Sequence, residues 1–272
     1  MEEYILRGVS MMKAVILAGG QPSTITNDRE GIPKPMAQIG EMPMLWHIMK
    51  NYASYGVKDF IICGGYKVEM LKDYFADFYL YNSDITVDLQ NNTIEIHKKV
   101  SEDWKVTIVD TGLHTATGER INRIRDYIGE EDFLVSYGDC LTDLDLTAFA
   151  KAHEKNGKLV TMAVARPTGR NELVAIGKEH ELLTVHASRG EQQRTKSEAW
   201  ADANIYMFNY RIFNYLMGNY SLEDQLFKTL TEMKQIEAFY HDGFWIPVET
   251  FRDRCDMENL WNAGMAPWKV WE

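Results

Sequence analysis

Residues Lys13 to Gly20 read KAVILAGG, with Lys34-Pro35-Met36 a short way downstream. The apolar run Ala14 to Ala18 has the length of a buried strand and is too short for most helices. Gly19 and Gly20 let the chain turn sharply where that strand ends, because glycine adopts φ > 0 without steric cost. Their lack of a side chain also lets backbone N–H groups come close to a ligand. In a parallel α/β sheet this turn lies at the carboxyl edge, where anionic ligands bind. A lysine reaching back to it, Lys34, would supply positive charge for phosphate. The plainer reading is an ordinary strand-to-helix turn beside a solvated lysine. The glycine pair fits neither the dinucleotide nor the P-loop spacing, so the local pattern leaves both readings open.

Outward from this stretch, strand-like and helix-like segments alternate. Met44 to Tyr55 has helical spacing of apolar residues and stops at Gly56, in the manner of a C′ glycine. Strands are expected at Asp59–Gly64, Thr107–Asp110, Asp132–Ser136 and Val160–Ala165, with helices at Val68–Phe78 and Glu119–Tyr127. Such alternation predicts βαβ units around a mostly parallel sheet flanked by helices. Asp84 to Val100 reads as a polar β excursion. Leu173 to Phe208 reads as a small antiparallel patch on the sheet edge. Helices at Leu222–Met233 and Asp253–Ala263 bracket a short strand at Phe244–Val248. No linker, internal repeat or low-complexity segment interrupts the chain.

The 272 residues suffice for a substantial core without staples. A formal net charge of −11 argues against nucleic acid or an anionic membrane surface as the main partner. A small anion is still accommodated by local basic groups, for which Lys13, Lys34, Lys67, Arg120 and Arg123 are candidates. The three cysteines, Cys63, Cys140 and Cys255, match neither a disulfide framework nor a zinc site. A reducing, cytoplasmic compartment is therefore expected. Residues 1–11 lack the basic start and apolar core of a signal peptide, and no run reaches the ~18 apolar residues of a membrane span. They read as a short extension or the product of a misassigned start at Met11-Met12.

Tyr137-Gly138-Asp139 ends another apolar strand, which brings a carboxylate to the edge shared with Gly19-Gly20. A carboxylate facing a phosphate makes chemical sense when Mg²⁺ lies between them. Glu249, at the end of Trp245-Ile246-Pro247-Val248, offers a second acid for the same ion. Asp143 and Asp145 are rival acids, although their alternation suits a helix start. Asp139 as a cap, Glu249 as a surface acid and Arg120 paired with a neighbouring acid remain the structural alternatives.

With these motifs in place, the chain resembles the bacterial glucose-1-phosphate cytidylyltransferases within the sugar nucleotidyltransferases. The resemblance runs from Lys13 to the end, through KAVILAGG, PKPM, LWHIMK, DFIICGGYK, VDTG, TGERI, YGD, FWIPVET and GMAPWKVWE. It implies a Rossmann-like fold in one domain, residues 12–272. Residues 12–165 would bind nucleotide and 166–272 the sugar phosphate. It further implies Mg²⁺-dependent transfer of a cytidylyl group from CTP to a sugar 1-phosphate, and a homo-oligomer. On this resemblance Lys34 and Asp139 are catalytic, and Asp139 with Glu249 holds the metal. Leu17, Gly19, Gly20, Gly65, Tyr66, Gly112 and Gly138 line the nucleotide. Arg120, Arg189, Asp202 and Thr250 meet the sugar phosphate.

Departures from the family pattern cluster at this site. Gln21 and Pro22 follow Gly20 where the family continues with glycine and the arginine of its G-x-G-T-R-L loop. Ile32 replaces a lysine, and Cys140 a glycine. Ser188-Arg189-Gly190 stands for E-K-P, Asp202-Ala203-Asn204 for N-x-G, and Glu249 for aspartate. A charge-assisted phosphate contact such as the missing arginine contributes roughly 1.5–3 kcal/mol. The sequence therefore leaves two outcomes open: a working cytidylyltransferase, or an impaired homologue that binds nucleotide or a partner without turnover.

Overall fold

A computed structural model of the chain describes residues 12–20, 25, 31–98, 102–168, 173–184 and 199–272. Its centre is strand β1, Lys13–Ala18, every residue of which is buried after the half-buried Lys13. Alternation along β1 sends Ala14, Ile16 and Ala18 into one core and Val15 and Leu17 into a second. Both faces are therefore covered, which explains a continuous apolar run in place of an alternating one.

After the short ribbon of β2 (Gln38–Ile39) and β3 (Met42–Pro43), helix α1, Met44–Ser54, covers the first core. Gly56, at φ +97, follows its C-terminus as the sequence predicts. Met44, Leu45 and Met49 are fully buried, each stabilising by about 1.5–3 kcal/mol. Strand β4, Asp59–Gly64, pairs parallel with β1, and helix α2, Val68–Ala76, follows it on the α1 side. Strands β5 (Asp84–Asp88) and β6 (Thr93–Lys98) form a separate hairpin, and β7 (Lys105–Asp110) then pairs parallel with β4. The single helix expected at Glu119–Tyr127 is two: α3, Thr117–Asn122, and a turn at Arg125–Ile128. A bond from Ile124 N to Ile121 O tightens the chain between them.

Strand β8, Phe133–Tyr137, crosses back to pair with the other edge of β1, so β1 lies between β4 and β8. This reversal opens a crevice at the carboxyl ends of β1 and β8, where an α/β sheet receives its ligand. Beyond β8 come β9 (Cys140–Thr142) and helix α4 (Leu146–Asn156), then β10 (Val160–Ala165), β11 (Leu173–Ile176), β12 (Leu182–Thr184) and β13 (Trp200–Phe208). Of the antiparallel region, β11 and β12 lie at one end of the sheet as expected, and β13 does not. β13 sits inside the nine-stranded sheet, antiparallel to both β8 and β10. The stretch expected to be helical from Leu222 is a π turn, Leu222–Phe227, running into a helical turn at Lys228–Glu232. Strand β14, Ile236–His241, extends the sheet beside β10, and β15, Trp245–Pro247, pairs with β9.

Helix α5, Phe251–Asn262, starts at a capping box made by Thr250 and Asp253. Trp268 beyond it is fully buried. Asn51 on α1 donates to the Trp268 carbonyl at 3.0 Å and to that of Thr142 at 2.9 Å. No helix among the described residues is long and apolar enough to cross a membrane.

Candidate active site

The crevice at the ends of β1 and β8 is a cleft of about 680 Å³. Leu17, Gly19 and Gly20 form one part of its lining, and Lys34, Gly138 and Asp139 another. Leu113 to Thr117, Arg120, Tyr137, Ser221 and Glu223 close the remainder. Gly138 N donates to the Leu17 carbonyl at 3.0 Å, which ties the two strand ends together. A side chain at Gly138 would meet Pro35 at 2.7 Å, so glycine is required for this approach.

Lys34 opens a short 3₁₀ turn, Lys34–Met36, anchored by buried Pro35. Its ammonium donates to Asp139 Oδ2 at 2.8 Å. Burial opposes the charge on Lys34, but Asp139, by charge and hydrogen bond, and then Glu249 outweigh it. The lysine pKa is therefore held above its ordinary value. Glu249 reaches this neighbourhood through the backbone: β15 pairs with β9 at Pro247 and Cys140, and Val248 N donates to the Asp139 carbonyl at 2.8 Å. Two acids from distant parts of the sequence thus act on one ammonium. Cys140 is buried and donates its thiol to Asp139 Oδ1 at 3.5 Å. Burial first, then Asp139, pushes that thiol's pKa well up.

Asp139 and Glu249 suit Mg²⁺ because both offer hard carboxylate oxygens. Among the described residues no cluster of three or more histidines, cysteines or acids forms a protein-only metal cage. A sparse protein shell suits Mg²⁺, which retains waters and binds substrate phosphates.

The other sequence-derived candidates fall in varied places. Arg120 lines the cleft but is 4% exposed, and its guanidinium donates to the Gly19 carbonyl at 2.6 Å, the Gly64 carbonyl at 3.1 Å and Thr111 Oγ1 at 2.6 Å. It clasps the carboxyl ends of β1 and β4 to the segment after β7. A side chain at Gly19 would collide with it. Gly65 packs against the Gly19 carbonyl, and Tyr66 OH donates weakly to the Gly31 carbonyl at 3.4 Å. Gly112, at φ +86, turns the chain so that Leu113 to Thr117, and not the Gly65 turn, form the cleft wall. Asp202 accepts from Asn204 N and Tyr206 OH, at 2.7 and 2.8 Å, and does not line the cleft. Thr250 caps α5, also away from the cleft lining. Arg189 and the loop residues 21–24 lie outside the described residues.

One further expectation is corrected. Lys13 lies at the amino end of β1 and donates to the Tyr127 and Ile128 carbonyls, because a strand's first residue sits at the edge opposite the cleft. The helix start read at Asp143 and Asp145 is found at Asp145, which caps α4, while Asp143 accepts from Phe244 N and faces His241. Sequence reasoning missed Glu223, which accepts from Tyr137 OH at 2.8 Å. Its only advance signal is the Ser221-Leu222-Glu223-Asp224 run at a helix start, which reads as capping.

A mostly parallel mixed sheet with a glycine turn, a lysine and an acid at its switch point, and a second acid acting on that lysine, is the layout of an α/β protein that takes an anionic ligand there. The pattern of the Nucleotidyl transferase family matches residues 13–263, and the chain belongs to that family. It is 39% identical over 266 residues to a glucose-1-phosphate cytidylyltransferase of Salmonella typhimurium, spanning 96% of this chain and 100% of that one. A probable glucose-1-phosphate cytidylyltransferase of Bacillus subtilis is 35% identical over 264 residues, with the same coverage. Among solved structures, HddC from Yersinia pseudotuberculosis complexed with GMP-PN has a similar fold: TM-score 0.68 at 20% identity, covering 92% of this chain and 100% of that one. The protein is a sugar-1-phosphate nucleotidyltransferase of the glucose-1-phosphate cytidylyltransferase-like kind.

Proposed function

We propose that the enzyme transfers the cytidylyl group of CTP to glucose 1-phosphate or a closely related sugar 1-phosphate, with Mg²⁺ as cofactor. A phosphate oxygen of the sugar 1-phosphate attacks the α-phosphorus of CTP. The new P–O bond forms as the bond to the β-phosphate oxygen breaks, giving CDP-sugar and pyrophosphate. The attacking oxygen is already anionic, so no side chain need remove a proton. Positioning and charge neutralisation carry the reaction.

The observation that supports this reading is the ion pair of Lys34 with Asp139 in the cleft between the ends of β1 and β8, with Glu249 close enough for its charge to act on the same ammonium. Asp139 and Glu249 would hold Mg²⁺, which when bound neutralises phosphate oxygens and makes the α-phosphorus more electrophilic. Gly20, beside which a side chain would meet only open space, leaves room for the triphosphate along the end of β1. Lys34, held between the acids, supplies positive charge where the pentavalent α-phosphoryl group forms. Leu17 and Leu113 give the cleft an apolar surface for the nucleoside.

A homo-oligomer is part of the same proposal. Its support is the β5–β6 hairpin, whose register opposes Ile85 to Ile96 and Val87 to Ile94 on one face. These four and Leu89 are all exposed, from 36% to 89%. An isolated two-stranded hairpin with a bare apolar face is marginal in water. Such a face matches a second copy of itself across a two-fold axis.

The test is pyrophosphate release by the purified protein with Mg²⁺, glucose 1-phosphate and each nucleoside triphosphate in turn. CTP is expected to give the highest kcat/KM. Binding of CTP without release from any pair would establish instead the impaired homologue that the altered glycine loop suggests.

A further inference from the structure

The part of the cleft lining made by Thr117, Tyr137, Ser221 and Glu223 is held by its own set of hydrogen bonds. Thr117 at the start of α3 accepts from Leu222 N at 3.0 Å, and Gly118 N donates to the Tyr220 carbonyl at 3.1 Å. These bonds lock the start of α3 to the turn that begins at Ser221. Ser221 caps that turn by accepting from Asp224 N, so its backbone is fixed at both ends. Glu223 projects from the fixed turn into the lining of the cleft. Its Oε1 accepts from Tyr137 OH at 2.8 Å. Among the described residues no basic side chain pairs with Glu223, and Oε2 has no hydrogen-bond donor.

A half-buried carboxylate on the wall of a substrate cleft repels phosphate, so it does not serve the triphosphate. It accepts hydrogen bonds, and the complementary groups are neutral donors: a sugar or ribose hydroxyl, or an exocyclic amine. Thr117 and Ser221, beside it in the lining, extend the same polar strip. Tyr137 stands two positions before Asp139 on the end of β8, so Glu223 is tethered to the strand that carries the metal-binding acid. Burial, and next the charge of Glu223, push the Tyr137 pKa well up, so the phenol remains a donor.

We propose that Glu223 is a specificity-determining residue, accepting a hydrogen bond from a hydroxyl or amine of the bound nucleotide or sugar phosphate. The proposal rests on the functional reading above and adds a residue to it. Tyr137 acts as the positioning residue that aims the carboxylate.

The experiment compares wild type, Glu223→Gln and Glu223→Ala by calorimetric binding of CTP and glucose 1-phosphate with Mg²⁺, and by steady-state kinetics. Glu223→Ala is expected to weaken one of the two ligands about 10- to 100-fold, in keeping with the loss of a charge-assisted hydrogen bond. Glu223→Gln, which keeps an acceptor and removes the charge, falls between. Analogues lacking one donor each (2′-deoxy-CTP, UTP, deoxy-glucose 1-phosphates) identify the source. For the analogue missing the recognised group, wild type and Glu223→Ala converge. A folded Glu223→Ala protein that binds both ligands as wild type overturns the proposal, as does an equal penalty with every analogue. Wild type that binds neither ligand overturns the functional reading and this proposal together. Wild-type binding with undiminished variant affinity overturns this proposal alone.

Discussion

Arg120 and Gly19 form a matched pair. The guanidinium occupies the space that any side chain at residue 19 would need, and it donates to the Gly19 carbonyl beyond β1 and to the Gly64 carbonyl at the end of β4, which Thr111 also serves. Arg120→Ala is expected to destabilise the fold by about 2–4 kcal/mol, because the Gly19 carbonyl loses its charged donor and the buried side chain leaves a void between the strand ends. Chemical denaturation measures this, and Arg120→Lys should recover only part of it because a single ammonium cannot span the three sites. An unchanged midpoint for Arg120→Ala would show that the clasp is inert. At Asp139 the expectation differs. Asp139→Asn leaves the backbone bond to Val248 N in place and removes one of two charges acting on Lys34. Activity should fall by about 10³-fold, roughly 4 kcal/mol of transition-state stabilisation, with little change in unfolding. Turnover within tenfold of wild type would count against Asp139 as a metal ligand. Lys34 and Asp139 were legible in the sequence because strand-end chemistry follows from a local apolar run and its glycines. The clasp of Arg120, which the sequence offered as a contact to the sugar phosphate, and the place of Glu223 were not, since their partners lie 101 and 86 residues away and only the folded chain brings them together.

Helix α4 docks on β10 through two polar contacts to one threonine, from His153 and Asn156 to Thr161 Oγ1. Asp145 caps its start, Gly157 at φ +63 ends it, and Leu146 and Phe149 face the core. Its last turn buries His153, whose Nδ1 lies 2.7 Å from Thr161 Oγ1 on β10. Burial pushes the His153 pKa down to about 4, from an ordinary 6.5. Asp132 lies 3.7 Å from Nε2, but burial raises its own pKa, so it gives the imidazolium little support. The unfolded chain takes up a proton near pH 6.5 and the folded chain does not until about pH 4. Stability from this group is therefore intact above pH 6.5 and declines as the pH falls toward 4, by about 3 kcal/mol in total. Unfolding free energies at several pH values should show this slope, and His153→Gln should flatten it; an unaltered slope would assign the acid sensitivity elsewhere. Strands β1, β4, β7 and β8 and helices α1 and α2 were readable because each is a local period bounded by glycine or a polar turn. β9 and β14 were not foreseen. β9 is three residues long, and β14 is a half-buried six-residue edge strand whose pairing with β10 depends on chain beyond its own span.

For the whole molecule, the return of β8 across β1 sets the cleft, and every residue proposed for chemistry hangs from that crossing. Ligands that bind only the folded chain stabilise it by mass action. CTP with Mg²⁺ at about 100 times its Kd should add roughly 2.7 kcal/mol and raise Tm by about 5–10 °C. Asp139→Asn and Glu249→Gln should lose the Mg²⁺-dependent part of that shift, as read by thermal scans with and without chelator. Oligomer mass by light scattering tests the hairpin: Val87→Asp with Ile94→Asp should reduce the mass of the particle, and an unchanged mass would place the interface elsewhere. The layered α/β class could be read from the sequence, whereas the insertion of β13 within the sheet could not, because antiparallel entry follows from long-range pairing with β8. One contact has a temporal consequence. Asn51 closes on Trp268, 217 positions later, and the tryptophan fills the space against His47 and Trp261. On a ribosome adding ~5–20 residues per second, α1 emerges about 10–40 s before its indole cover. Throughout that interval the nascent chain carries α1 without the tryptophan that seals it, so the helix completes its burial only as the last residues emerge.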